Sequence, residues 1–362
     1  MKADENGFFS PVVDVESCIC CGLCEKTCPV ITPLELSEDE PKAYAAYTKD
    51  ETVRLHSSSG GVFTEIAKTV LAQGGAVFGA AYNEHFEVVH ICAEGEKELA
   101  RLRCAKYAQS DLYGIFREVK NKLDKGQMVL FSGTPCQVGG LKAYLRKDYD
   151  NLLTADFICH SIPSPFAWRE YVKYRAQQDN DGELPVAVNL RAKDTGWSRY
   201  QYANLFRYAS GNSHTVISGE SLYMKLFVGG YINRESCANC QFKGYNRVSD
   251  VTLGDFWGIW DIAPEMDDNK GTSVVLVHSE RGMGLIQGVS ERVTLKQVTP
   301  EEAGRQNSAI FARSTPNPRR DEALAMIRDG KIGICEQWFL PETPALWKRA
   351  RRFAARIVRK IR

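Results

Sequence analysis

Apolar residues along the chain follow two rhythms, and their alternation predicts the layout of the fold. In "RLHSSSGGVFTEIAKTVLAQGG", Val62, Ile66 and Val70 recur at helical spacing, with Ser59 as the expected cap and Gly74-Gly75 as the stop. The runs "GAVFGAAY" and "EVVHICA" then read as strands, and "IFREVKNKLDKG" as a helix. The apolar strand "MVLFSG" leads through "TPCQVGG" into a helix over "LKAYLRK", and "LLTADFI" is a further strand ending at Cys159-His160. Strands alternating with helices predict an α/β layer with at least part of its sheet parallel. From about Pro185 to Ile217 the pattern changes to extended, alternating segments such as "YQYANLFRY", which predicts an antiparallel excursion. A helix over "SLYMKLFVGG" and the strands "SDVTLGDFWGIW" and "GTSVVLVHS" follow, and no internal repeat is present.

Before this pattern begins, the chain reads "CICCGLCEKTCPV". Cys18, Cys21, Cys24 and Cys28-Pro29 have the spacing C-x2-C-x2-C-x3-C-P, the run that wraps thiolates around a [4Fe–4S] cube. Structural zinc sites usually take separated cysteine pairs instead. Gly22 is read as letting the backbone pass close to the cluster, and Cys20 falls off the pattern. Because the run occurs once, either Cys28 closes its own cube or ligands are exchanged with cysteines elsewhere. Cys136 and Cys159 each follow the carboxyl end of an apolar strand, the edge at which open α/β sheets bind ligands. With Cys237 and Cys240 they make four thiols, enough for a second cube. The C-x2-C pair alone suits half a zinc site or a redox disulfide equally well. Cys92, Cys104 and Cys335 read as small buried residues.

Composition narrows the setting. Twelve cysteines among 362 residues, an N-terminus without the apolar core of a signal peptide, and no apolar run of membrane-spanning length predict a cytoplasmic protein with metal-binding or redox thiols. The net charge of +1 hides an asymmetry: Lys348 to Arg362 holds eight Lys or Arg and no acid, leaving the rest of the chain at −7. In this tail Trp347, Phe353, Ile357 and Ile361 recur at helical spacing. A cationic amphipathic helix over 340–362 suits an anionic membrane surface or an acidic partner, and equally a helix packed on its own domain. Attachment would put the protein at the inner face of the membrane, and a lipid-linked substrate of polysaccharide assembly would then be within reach. The body lacks a basic-aromatic motif for nucleic acid, and no G-x-G-x-x-G opens a nicotinamide site.

"SSSGGVF", "KYAQS", "FSGTPCQ", "ICH", "CANC" and "SDVTLGDFWG", in this order over roughly residues 45 to 290, resemble the coenzyme F420 hydrogenase/dehydrogenase beta-subunit family. That family includes flavin-bearing subunits of archaeal hydrogenases and 7-hydroxymethyl chlorophyll a reductase. One departure is Ser161, where a glycine is more usual. The resemblance implies a mixed-sheet, α/β flavin-binding domain behind a ferredoxin-like segment, divided as 1–34 (ferredoxin-type), 45–126 (N-terminal part) and 127–330 (C-terminal part with second cluster and flavin). It implies FAD, and makes Cys136, Cys159, Cys237 and Cys240 joint ligands of a cluster near the flavin. It offers as cofactor contacts Ser58, Ser59, Gly60 and Gly61 in a Ser-Gly turn before a helix, Lys106, Tyr107, Gln109 and Ser110 in "KYAQS", Thr134 and Gln137 beside Cys136, and Asp255. Taken without the resemblance, the first of these runs is an ordinary turn and the second an exposed loop. Trp257 is a further candidate for orienting the cofactor, or a core residue, and Lys193 and Trp197 are candidates for the substrate side or members of a solvated turn. His160 reads as a hydrogen-bonding neighbour of the cluster rather than a ligand.

The expectation is an iron–sulfur flavoprotein oxidoreductase. It would pass electrons between a ferredoxin-like partner, two [4Fe–4S] clusters and FAD, and reduce or oxidise a small organic substrate. Coenzyme F420 and a polysaccharide-pathway intermediate are candidate substrates. The alternative is a non-catalytic iron–sulfur electron-transfer or assembly subunit.

Overall fold

The computed structural model describes residues 1–36, 39–197 and 201–340. The amphipathic tail expected over 340–362 lies, from residue 341 onward, outside the described residues.

The strands are β1 (Lys2–Ala3), β2 (Phe9–Ser10), β3 (Lys42–Thr48), β4 (Ala76–Tyr82), β5 (Val88–Ala93), β6 (Val129–Ser132), β7 (Leu152–Phe157), β8 (Ala187–Ala192), β9 (Ala203–Arg207), β10 (Ser213–Ile217), β11 (Val251–Asp255), β12 (Ser273–Val277) and β13 (Val293–Val298). Eight of them form one sheet in the order β13-β3-β12-β11-β7-β6-β4-β5. Its central strands β4, β6, β7 and β11 run parallel, and antiparallel strands flank them on both sides. The sheet therefore joins strands from before and after residue 126.

Both faces of the sheet are covered, which explains why its strands read as continuous apolar runs. On one face Val77, Leu130, Ala155, Val251 and Val275 pack with Val62, Ile66 and Val70 of the helix Val62–Ala72 and with Leu285, Ile286 and Val289 of the helix Glu280–Val289. On the other, the alternate residues Ala76, Phe78, Val129 and Phe131 meet Ile115, Val119 and Leu123 of the helix Ile115–Asp124 and Val138, Leu141 and Leu145 of the helix Pro135–Leu145. The antiparallel excursion is present as a separate sheet, β10-β9-β8. It packs with the helices Pro165–Asp179 and Leu222–Val228 around Trp168, Tyr171, Phe206 and Tyr223.

Two local expectations differ from the structure. The helix expected over "LKAYLRK" starts at Pro135, because Thr134 and Gln137 form a reciprocal capping box that draws "TPCQVGG" into its first turns. Ser59 does not cap the helix Val62–Ala72. The N-cap is Gly61, in the left-handed region (φ +82°), and the Ser59 hydroxyl donates to Gly254 O and Thr272 O. Gly22 is also left-handed (φ +68°), at the turn into the helix Leu23–Lys26.

Residues 11–33 contain no buried side chain. This lobe is held at its two ends. The β1–β2 hairpin before it is clamped by Arg234, whose Nη1 donates to Phe9 O (2.8 Å) and Nη2 to Ser10 Oγ (3.3 Å). Phe9 N donates to Gln109 Oε1 (2.9 Å), and Phe8 is buried. At the other end Leu34 lies against Gly139 of the Cys136 helix, where the Phe242 ring also packs.

Gly60 sits so close to the sheet that an added Cβ would fall 2.3 Å from Ala46 O and 2.8 Å from Ser273 N. Gly60→Ala should therefore destabilise the fold by about 1–3 kcal/mol, measured by denaturant unfolding. Gly284→Ala, in the helix Glu280–Val289 with open space for the Cβ, should stabilise it by about 0.5–1 kcal/mol.

Candidate functional site

The carboxyl ends of the four parallel strands share one edge of the sheet, and the singled-out residues gather there. β6 ends at Ser132 and runs through Thr134 to Cys136, β7 ends at Phe157 two residues before Cys159, and β11 ends at Asp255. From outside the sheet, the 3-10 turn Glu235–Asn239 brings Cys237, with Cys240 just after it.

The four thiols Cys136, Cys159, Cys237 and Cys240 lie near enough to act electrostatically on one another. Burial pushes the Cys136 thiol up to about 11, although part of its surface stays open to solvent, and the neighbouring sulfurs of Cys237 and Cys240 push in the same direction. Cys159 and Cys237 are raised by burial as well. Polar groups bracket the set: Thr134 Oγ1 lies 3.1 Å from Cys136 Sγ, Arg313 Nε donates to Cys240 O (3.0 Å), and Lys243 Nζ donates to Cys159 O (2.5 Å) and Ala309 O (2.7 Å). His160 stacks edge-on against Phe227, 5.3 Å between centroids, and its pKa is lowered by burial. Among the described residues no three ligating side chains close around a single metal ion.

In the N-terminal lobe Cys18, Cys21 and Cys24 are exposed and Cys28 is half-buried. Cys20 takes a left-handed conformation (φ +52°), and its backbone N–H points at Cys18 Sγ (3.4 Å). That turn presents a backbone donor to the Cys18 sulfur.

A second constellation is cationic and centres on Cys104, whose thiol lies within electrostatic reach of Arg103, Lys106, Arg191 and Lys193. Lys193 Nζ donates to the carbonyls of Arg54, Ser59 and Lys270, each at 2.6 Å, and so ties the Ser-Gly turn to the end of β8. Lys106 Nζ donates to Arg101 O (2.8 Å) and Arg103 O (2.6 Å). Among the described residues neither ammonium pairs with a carboxylate. Burial pushes Lys106 down to about 8 and Lys193 to about 7. Arg191 is buried between Tyr202 (4.0 Å) and Trp197 (4.4 Å) and pairs with Asp255 and Tyr107 Oη. Arg54, stacked on Tyr47, forms a bidentate pair with Asp268. Among the described residues, buried polar atoms here have no partner: Arg103 Nε, Arg191 Nε and Asp255 Oδ1. Cations outnumber carboxylates, so the constellation has the chemistry of an anion receptor.

The sequence-derived residues fall into two neighbourhoods. Ser59, Lys106, Tyr107 and Asp255 belong to the cationic constellation, with Ser58, Gly60 and Gly61 in the turn that Lys193 anchors. Gln109, Ser110 and Gln137 instead line a cavity of about 500 Å³ with Phe9, Phe116 and Tyr144. Gln137 Nε2 donates to Ser110 Oγ (2.8 Å), so the capping residue of the Cys136 helix also forms the cavity wall. Thr134 is buried in that cap. Trp197 is buried and stacked on Trp257 (6.0 Å between centroids), so it is not part of a solvated turn. Sequence reasoning missed Arg54, Arg103 and Arg191. One signal was present for the last: Arg191 and Lys193 are two residues apart at the end of an alternating strand, which puts both cations on one face.

A search of curated protein sequences finds no match. Among solved structures, a chain of the xenon-derivatized F420-reducing [NiFe] hydrogenase complex from Methanosarcina barkeri is similar in fold, with a TM-score of 0.50. The alignment covers 82% of this chain and 90% of that chain at 15% identity. The family model for the C terminus of the beta subunit of coenzyme F420 hydrogenase/dehydrogenase matches residues 126–303, which hold the Cys136 helix, Cys159, the Cys237/Cys240 pair, Arg191 and Asp255. By that match residues 126–303 belong to the coenzyme F420 hydrogenase/dehydrogenase beta-subunit family.

Proposed function

We propose that this chain is an iron–sulfur flavoprotein oxidoreductase that exchanges electrons with a redox protein partner and reduces or oxidises an organic substrate. The observation that carries this reading is the convergence of Cys136, Cys159, Cys237 and Cys240 from three separated segments at one sheet edge. Thiols set this close together cannot all carry thiolate charge without added positive charge, which iron supplies. Four thiolates are the usual ligand set of a [4Fe–4S] cube. Cys18, Cys21, Cys24 and Cys28 would hold a second cube in a lobe that has no apolar core of its own.

The cationic constellation fits the diphosphate of FAD. Lys106 and Lys193 offer charge without a carboxylate, the Ser-Gly turn offers hydroxyl and backbone donors, and buried arginine atoms lack partners. The extended segment 106–110 leads from there to the cavity beside Gln137, whose volume falls within the usual range for small-molecule sites. Bound FAD would interconvert a two-electron hydride and the single electrons that iron–sulfur centres carry. The chain's part is to fix positions. Asp255 and Tyr107 hold Arg191, Lys193 holds the Ser-Gly turn, and Thr134 and Gln137 tie the Cys136 helix to the cavity wall. Coenzyme F420 is named with the family and with the similar hydrogenase complex, and is the first substrate to test.

Anaerobically reconstituted protein should contain two cubes' worth of iron and sulfide, and FAD. Cys21→Ser should remove one cube and Cys136→Ser the other, read by iron assay and by EPR after reduction. Colourless protein that binds neither iron nor flavin would sink the reading.

FAD binding should also take up protons at pH 8. The ammonium forms of Lys193 and Lys106 are half-populated at about pH 7 and about pH 8, and a diphosphate favours them. Affinity should therefore be highest below pH 7 and fall as pH rises through both values. Calorimetry in two buffers of different ionisation enthalpy measures the uptake. Lys106→Met should weaken binding by roughly tenfold and reduce the proton uptake.

A further inference from the structure

We infer that the N-terminal lobe is a docking face for an electron-carrier protein with an apolar centre and a basic rim. The inference rests on the reading above that residues 18–28 hold a cluster, and it adds the chemistry of the partner.

Three observations converge on this lobe. First, its large apolar side chains face solvent: Val15 is 81% and Ile19 85% exposed, and Val13, Val30 and Ile31 are more than half exposed. Every residue from Pro11 to Cys21 is exposed, including Cys18, Cys20 and Cys21. Such a concentration of solvent-facing apolar groups is what a protein contact covers. Second, the charge is one-sided. Pro11 to Glu40 holds seven acids and one basic residue, Lys26. Asp14, Glu16, Glu25, Glu35 and Glu40 are exposed, and none pairs with a cation among the described residues. Third, the lobe is fixed to the body on the side of the inner thiols. Arg234, which clamps the hairpin, stands three residues before Cys237, and Leu34 packs on the helix that carries Cys136. A carrier seated on the exposed side would face the outer thiols while the inner ones lie behind them.

Charge decides which carrier. An acidic rim around an apolar patch attracts a basic face and repels one of its own sign, and this governs the association rate more than the final affinity. The event is a single-electron exchange: the carrier loses one electron and the lobe's centre gains it, or the reverse, with no bond made or broken.

The test uses one carrier in two charge forms. Cytochrome c, which is basic, and cytochrome c with its lysines succinylated, which is acidic, present the same haem. Full-length protein is reconstituted, its iron, sulfide and EPR signal are verified, and it is reduced and freed of reductant. Haem reduction is then followed by stopped flow at about 20 mM and about 200 mM salt. The native carrier should be reduced at least about tenfold faster at low salt than the succinylated one, and should slow as salt rises. The combined variant Asp14→Lys, Glu16→Lys, Glu35→Lys should lose that preference while keeping its iron and EPR signal. Val13→Ser with Val15→Ser should slow both carriers without changing their salt dependence. Equal rates for the two carriers, a faster succinylated carrier, no electron transfer from EPR-competent protein, or a charge-reversed variant that behaves as wild type would each overturn the docking face and leave the cluster assignment standing. Protein that takes up no iron would overturn the assignment, and the docking face with it.

Discussion

Parallel pairing of β4, β6, β7 and β11 is the constraint on which the rest of the molecule depends. Parallel strands end together, so one sheet edge receives Tyr82, the Cys136 helix, Cys159 and Asp255, although the first and the last lie far apart in the chain. The geometry also requires crossover connections, and these bring the helices that bury both faces. On one flank β3, two antiparallel steps from β11, ends at the same edge and leads into Arg54 and the Ser-Gly turn, and the small β8–β10 sheet adds a pair of cations reaching in from the side.

Burial of charge is handled differently at the two halves of the edge. Around the thiols, the cations Lys243 and Arg313 are directed at backbone carbonyls of the cysteine segments. Around Cys104, Lys106 and Lys193 are likewise held by carbonyls, while Arg191 and Arg54 take the available carboxylates. Carbonyls orient an ammonium without neutralising it. A site built this way keeps net positive charge in a half-buried place, a costly arrangement for an isolated chain and a favourable one when an anion arrives.

The sequence disclosed the fold class and most strands because hydrophobic periodicity reports burial directly. Covered strands such as "VLFS" and "SVVLV" stand out as unbroken apolar runs. The C-x2-C-x2-C-x3-C-P spacing stood out because it is local. Arg191 and Arg54 were not, since an arginine that stacks on aromatic rings and one that lies on the surface look alike until the fold brings Trp197, Tyr202 and Tyr47 beside them. The separation of Gln109 and Ser110 from Lys106 and Tyr107 was hidden for a related reason. The segment runs on from one site to the next, and only the packed structure shows that its first residues meet the cationic group and its last the cavity. Ser59 looked like a cap because local rules put serine before helices. A tertiary partner, the carbonyl pair of Gly254 and Thr272, outcompeted that role.

The two-ended attachment of the N-terminal lobe imposes an order of assembly. Its anchors are Arg234, Gln109 and Gly139, and each belongs to a segment that must already be seated around the inner thiols. With no interior of its own, the lobe has nothing to nucleate on until those anchors are in place. Maturation would therefore run from the inside outward, with residues 11–33 the last to find their position.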